Sequence, residues 1–116
     1  MKRDTVKTRS RARVLRSSGN VFADLGLVDA EEKQTKVRLA VAINAILKER
    51  RLSQTVAASL LKVNQPKISA LANYQLGGFS VERLMHFLNA LGRDVEIVVR
   101  RKPKSRGAGK ILVTAA

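Results

Sequence analysis

The sequence predicts an all-α domain of four or five helices that ends in one short β-strand. Three observations support this fold class. Apolar residues recur at spacings of three and four along two stretches, as they do on one face of a helix. Ser53, Asn64 and Ser80 each precede a run of helix-forming residues, which is where such side chains cap helices. A stretch near the end, VEIVVR at 95–100, is rich in β-branched residues and is typical of a strand.

The first helix is predicted over residues 29–51. Asp29 can cap it, and Glu31 and Glu32 follow in the first turn, where carboxylates oppose the positive end of the helix dipole. One apolar stripe runs along it, formed by Leu39, Ala42, Ile43, Ile46 and Leu47. We expect this stripe to face the core.

Two short helices with a tight turn between them are predicted in QTVAASLLKVNQPKIS, residues 54–69. Ser53 caps the first of them and Asn64 caps the second. Pro66 falls in the first turn of the second, where its missing N–H leaves no helical hydrogen bond unmade. Such a pair is a helix-turn-helix, whose second helix enters the DNA major groove while the first lies across the backbone. Its crossing is expected to be packed by Ala57, Ala58, Leu61, Val63, Ile68 and Leu71.

A fourth helix begins after Ser80, follows a turn at Gly77-Gly78 and ends at Gly92. Its apolar stripe consists of Val81, Leu84, Met85, Leu88 and Leu91.

The strand at 94–100 has no obvious mate among the four helices. An isolated edge exposes unpaired N–H and C=O groups, and Val95, Ile97 and Val99 would show an apolar face to water. We therefore predict a homodimer in which this strand pairs with the partner chain. The alternative is a local mate within the chain, around residues 20–22.

Positive charge is concentrated in two tails. Residues 1–20 carry seven basic side chains against one acidic, residues 100–116 carry six and no acidic one, and residues 21–99 are nearly balanced. Basic arms attract polyanions by displacing counterions, so nucleic acid is the first partner to consider; a solvated tail that only aids solubility is the alternative. The sequence therefore predicts a basic flexible N-terminal arm at 1–19, a DNA-binding domain with its dimerisation strand at 20–100, and a basic flexible tail at 101–116.

Other classes of function find little support in the composition. The chain has no cysteine, which excludes disulfides and cysteine-ligated metals and favours a reducing compartment. His86 is the lone histidine and has no titratable partner at a suggestive spacing, so no catalytic site, metal or cofactor is predicted. No apolar run approaches the roughly 18 residues of a membrane span. We expect a cytoplasmic protein that is not an enzyme.

The segment 54–69 resembles the helix-turn-helix of the lambda Cro and repressor (XRE) family. The residues in register are Gln54, Ala58, Leu61, Val63, Ile68 and Ser69. The wider segment 18–100 is similar to HigA-like antitoxins. The resemblance implies a lambda-repressor-like bundle and a sequence-specific transcriptional regulator, a repressor of its own operon and the antitoxin of a cognate toxin. Lys62 departs from the pattern, because the family commonly has glycine in the turn, where the backbone favours positive φ.

The resemblance also implies a site for operator DNA on the second short helix. Gln65 matches the position that most often reaches base edges, and a Gln amide can bond N6 and N7 of adenine together. By the same resemblance, Gln54 contacts phosphate, and Lys67, Ser69 and Asn73 reach phosphate or neighbouring bases. The full predicted DNA-binding set is Gln54, Asn64, Gln65, Pro66, Lys67, Ser69, Ala70 and Asn73. Two alternatives stay open: these side chains are an ordinary solvated helix face, or the protein binds nucleic acid non-specifically through its basic tails.

Overall fold

A computed structural model describes residues 18–115, with side chains from residue 30 onward. This part of the chain contains four helices: α1 (Ser18–Glu49), α2 (Gln54–Leu61), α3 (Gln65–Ala72) and α4 (Val81–Ala90). The all-α prediction is confirmed for the same residues. The predicted N-terminal arm lies outside the described residues, apart from its last two positions. The chain divides into two compact units after Ala30, and the packing below is that of the unit from Glu31 onward.

The first helix begins eleven residues before its predicted start. The prediction that Asp29 caps it was wrong, because α1 begins at Ser18 and Asp29 lies inside it. Residues 18–28 contain no proline, and Gly19 and Gly26 each cost the helix no more than about 1 kcal/mol, so this stretch has no residue that stops a helix. The predicted stripe is confirmed, since Leu39, Ile43, Ile46 and Leu47 are buried and Ala42 packs against them.

The core is formed by the part of α1 from Leu39 to Leu47 and the three shorter helices. Ile43, Leu71 and Leu84 are fully buried, and burial of each such side chain contributes about 1.5–3 kcal/mol. The predicted packing of the helix-turn-helix is confirmed, because its apolar set is buried apart from Val63, which is half-buried. Phe79 is also buried, and its ring meets that of Phe87 edge to face at 5.9 Å.

The four described helices end in the same way. A residue with positive φ follows each one: Arg51 (53°), Lys62 (58°), Tyr74 (59°) and Gly92 (83°). The next residue then donates its N–H to a carbonyl five positions back, as Val63 does to Ala58 at 3.0 Å and Arg93 to Leu88 at 2.9 Å. This is the Schellman motif, which satisfies carbonyls that the helix leaves unpaired. Three of these ends use a side chain where glycine is favoured, at a cost of about 1–2 kcal/mol each.

The predicted strand at 94–100 is not formed, so the fold prediction was wrong on this element. Residues 93–103 adopt neither helix nor strand. The physical reason is that a strand exists only with a hydrogen-bonded mate, and nothing in the described chain supplies one. The predicted local mate is excluded, because residues 20–22 lie within α1.

The predicted tail at 101–116 contacts α1 through residues close to the C-terminal end of the chain. The Ile111 N–H donates to Glu31 Oε2 at 3.2 Å, and Arg38 Nη1 donates to the Ile111 carbonyl at 3.3 Å. Val113 is half-buried against the core. The last basic residues are therefore followed by a short anchored segment.

Candidate nucleic-acid interface

The angle between α2 and α3 is fixed by two caps and one left-handed residue. Ser53 Oγ accepts from the Val56 N–H at 3.2 Å, and Asn64 Oδ1 accepts from the Lys67 N–H at 2.9 Å. Between the helices, Lys62 adopts φ 58° and ψ 46°, the left-handed conformation expected of this turn. The backbone therefore adopts the helix-turn-helix geometry without the usual glycine.

α3 buries one side and exposes the other. Ile68 and Leu71 anchor it to the core, with 2% and 0% of their surface exposed. Gln65 and Pro66 are exposed on its opposite side, and Ser69 and Ala70 are half-buried beside them. The eight residues of α3 form a helix about 12 Å long, and a helix with its side chains is about 10–12 Å in diameter, which the major groove can admit. The structure thus exposes Gln65 and Pro66 on an outward face, with Ser69 at its edge and Ala70 partly packed against the core.

The side chain of Gln65 is held in place by α2. Its Nε2 donates to Thr55 Oγ1 at 2.5 Å. A Gln amide has two N–H donors and one carbonyl acceptor, so the second N–H and Oε1 remain for another partner. That remaining donor and acceptor are the pair needed to bond adenine N7 and N6. Thr55 was not predicted from the sequence, although its place at the second position of α2, ten residues before Gln65, is the signal that could have identified it.

The side chains of Asn64 and Asn73 form hydrogen bonds with backbone groups of α3. Asn64 is the N-cap already described, and Asn73 Nδ2 donates to the Ser69 carbonyl at 2.9 Å at the other end. Both are exposed, so each lies at a rim of the outward face while stabilising the helix that carries it.

Lys67 lies away from the outward face. Its Nζ is 4.9 Å from the centre of the Phe79 ring and donates to the Gly78 carbonyl at 3.1 Å. The predicted phosphate contact of Lys67 therefore requires this side chain to leave both partners. A Cβ at Gly78 would lie 2.8 Å from Nζ, so glycine at this position makes room for the ammonium group.

Two basic residues that were not among the predicted DNA contacts lie near Gln54. Lys48 and Arg51 are exposed at the end of α1 and line one groove together with Gln54. The same groove is bordered by Ala72 of α3. Two positive charges thus accompany the residue predicted to contact phosphate, where they would attract the DNA backbone.

The lone histidine and the possible metal ligands were also located in the structure. His86 is exposed, and its Nε2 lies 3.6 Å from Glu82 Oε2 one turn away on α4. Between residues 30 and 115, no group of three or more His, Cys, Asp or Glu is positioned to hold a metal ion. Within the described residues, no helix has the length and apolar character needed to cross a membrane.

Comparison with known proteins agrees with this geometry. A family model described as a helix-turn-helix domain matches residues 21–100. A solved structure named as an XRE-family transcriptional regulator is 65% identical to this chain, covers 76% of it and 99% of its own length, and superposes with a TM-score of 0.73. A search of curated proteins gives no match. The family model spans most of the chain and the identity is high, so the chain belongs to the XRE family of helix-turn-helix proteins.

Proposed function

We propose that this protein is a sequence-specific DNA-binding transcriptional regulator that represses its own operon. The main support for the proposal is that Gln65 is exposed on α3 and is held in place by a hydrogen bond to Thr55. Pro66 and Ala70 on the same face can contact thymine methyl groups. Lys48 and Arg51 add positive charge beside Gln54, where the first helix of the motif meets the DNA backbone. A protein of this kind acts where the DNA is, in the cytoplasm.

The test is selection of binding sites from a library of random duplexes, followed by titration of the winning sequence. We expect a short sequence containing an adenine that Gln65 reads, bound at least a thousandfold more tightly than random DNA, as specific regulators are. A library that returns no common sequence would contradict the proposal. That result would favour the alternative, in which the basic tails bind nucleic acid without regard to sequence.

We further propose that the regulator works as a homodimer. Two recognition helices that read half-sites one helical turn apart need a two-fold axis between them, with a spacing of about 34 Å. The apolar segment at 95–99 supports this proposal, since Ile97 and Val99 are 77% and 92% exposed in the single chain. The selected sequence should then be palindromic, with half-sites about ten base pairs apart.

The proposed role as an antitoxin rests on the similarity of residues 18–100 to HigA-like antitoxins. It requires a cognate toxin, which we expect to be a small basic ribonuclease-like protein encoded next to this gene. Co-expression of the neighbouring gene with a tagged form of this chain tests it. Recovery of a stoichiometric complex is expected, and a neighbour that neither binds nor harms the host would remove the antitoxin role without affecting the regulator.

A further inference from the structure

The segment 94–102 has an unsatisfied backbone. None of its N–H or C=O groups bonds to another described residue, although Arg93 before it and Pro103 after it do. Val95 is half-buried against the core, so the beginning of the segment is anchored while the rest is exposed. The segment is therefore anchored at Val95, and its backbone groups are available to pair with another strand.

Neither of the two candidate mates within the described chain is paired with it. Residues 20–22 are helical, so their backbone groups are already used. The other β-branched stretch begins at Ile111, whose N–H and C=O are bonded to Glu31 and Arg38. Since the described residues supply no mate, the segment is open to a strand from a second molecule.

The sequence of the segment is complementary to itself. In an antiparallel pair of identical strands, a two-fold axis passes between two copies of one residue, and residues equally far on either side of it face each other. With the axis at Val98, Glu96 of one copy faces Arg100 of the other, and Asp94 faces Lys102. Both acidic residues are thereby placed opposite basic ones, an arrangement that stabilises a strand pair.

The apolar residues agree with the same axis. Ile97 of one copy faces Val99 of the other, which is a favourable pair of β-branched side chains. Successive side chains alternate between faces, so Val95, Ile97 and Val99 share one face with Arg101, and the charged pairs share the other with Val98. Because Val95 already packs against the core, the apolar face is the one that turns toward the two domains.

Registers shifted by one residue pair the facing side chains less favourably. An axis at Ile97 leaves Glu96 opposite Val98, and an axis at Val99 places Ile97 opposite Arg101. The register centred on Val98 pairs both acidic residues with basic ones and Ile97 with Val99, and its one mismatch, Val95 opposite Arg101, lies toward the end of the ladder. We propose that residues 94–102 form an antiparallel ladder with the same residues of a second copy, about a two-fold axis at Val98. This inference rests on the proposed homodimer and assigns its contact.

Cysteine scanning tests the register without DNA, and the chain has no cysteine of its own. Val98→Cys puts two thiols on the axis, where opposite Cα atoms lie about 4.5–5.5 Å apart, within the reach of a disulfide. Ile97→Cys and Val99→Cys serve as matched controls. Two copies of either control place their Cα atoms about 8 Å apart, too far for a disulfide, whereas a mixture of the two controls brings their thiols opposite each other.

We expect rapid oxidation of Val98→Cys to a covalent dimer, slow oxidation of each control alone, and rapid formation of the mixed dimer. Rapid crosslinking of Ile97→Cys alone would overturn the register. A wild-type protein that sediments as a monomer, or a dimer in which no variant crosslinks, would overturn the pairing altogether. Sequence selection by α3 is measured separately on DNA, so its failure remains distinguishable from these outcomes.

Charge exchange provides a second readout that does not depend on thiols. Glu96→Arg and Arg100→Glu each replace the two symmetry-related pairs between residues 96 and 100 with repulsive ones, so each should raise the dimer dissociation constant roughly tenfold or more. An equimolar mixture restores opposite charges at both pairs and should dimerise like the wild type. Circular dichroism confirms that each variant keeps its helices. If the mixture were as weak as the single variants, the proposed facing of residues 96 and 100 would be overturned.

Discussion

Removal of the Thr55 hydroxyl should weaken sequence discrimination more than it weakens DNA binding. Thr55→Val keeps the size of the side chain and removes the acceptor that holds Gln65 Nε2 at 2.5 Å. An exposed hydrogen bond of this kind is worth about 0.5–1.5 kcal/mol. Gln65 would also regain side-chain freedom, which must be lost again when it contacts a base. We expect discrimination at one base pair to fall by about 0.5–1.5 kcal/mol, or roughly two- to tenfold.

The assay is fluorescence anisotropy on the selected operator and on operators with each base pair changed in turn. Thr55→Ser keeps the hydroxyl and should behave like the wild type. Gln65→Ala should cost about 1–3 kcal/mol on the operator and relax preference at the same base pair. Because Thr55 acts through Gln65, Thr55→Val should have little further effect once Gln65 is alanine.

Two results would refute this reasoning. Equal losses on operator and random DNA would mean that Thr55 contacts phosphate and does not orient Gln65. Additive losses in the double variant would mean that the two residues act independently. Either result would leave the position of α3 unchanged and would assign base reading to other members of its outward face.

Three further predictions concern single features of the chain. Lys62→Gly should raise the free energy of unfolding by about 0.5–1 kcal/mol, since the relief of left-handed strain exceeds the entropic cost of glycine; Lys62→Ala, which keeps the strain, should show no gain in thermal unfolding. Lys67→Ala should lower stability by about 1 kcal/mol because it loses Phe79 and Gly78, and the salt dependence of DNA binding should stay the same unless Lys67 moves to a phosphate. Removal of residues 1–16 should flatten the salt dependence of binding by about 0.9 in log-log slope for each lost phosphate contact, and an unchanged slope would assign the arm to another partner.

Local chemistry was enough to predict the helix-turn-helix. Ser53 and Asn64 act as caps, and Pro66 sits in the first turn of α3, because capping and proline geometry depend only on a few neighbouring residues. The buried set also followed from spacing, since Ile68 and Leu71 are the positions of α3 that face inward. The left-handed conformation of Lys62 was expected from the family resemblance, since the family commonly has glycine in this turn.

Long-range contacts were beyond such reasoning. From the sequence, Lys67 was expected on an exposed helix face. In the structure its side chain contacts Gly78 and the Phe79 ring in the turn before α4. Ile111 bonds to a carboxylate 80 positions earlier, which no local pattern reveals. The prediction of a strand at 94–100 was wrong for a related reason. β-branched composition reports that a segment would suit a sheet, but not whether the same chain holds the other strand.

If α3 reads DNA as proposed, the small number of base contacts it can make would require a dimer for full specificity. In the proposed complex, Gln65 would make one bidentate contact, worth about 1–3 kcal/mol, and the small residues Pro66 and Ala70 would add only methyl contacts. Specific regulators are separated from non-specific binding by about 4–10 kcal/mol, so one half-site falls short. Two half-sites held by one dimer add their contributions, which brings the total into that range. A monomeric variant with an intact α3 should therefore lose most of its discrimination while its basic tails still attract any DNA. The sequence-specific regulator and the non-specific binder would then be two assembly states of one chain, and the pairing of residues 94–102 would decide between them.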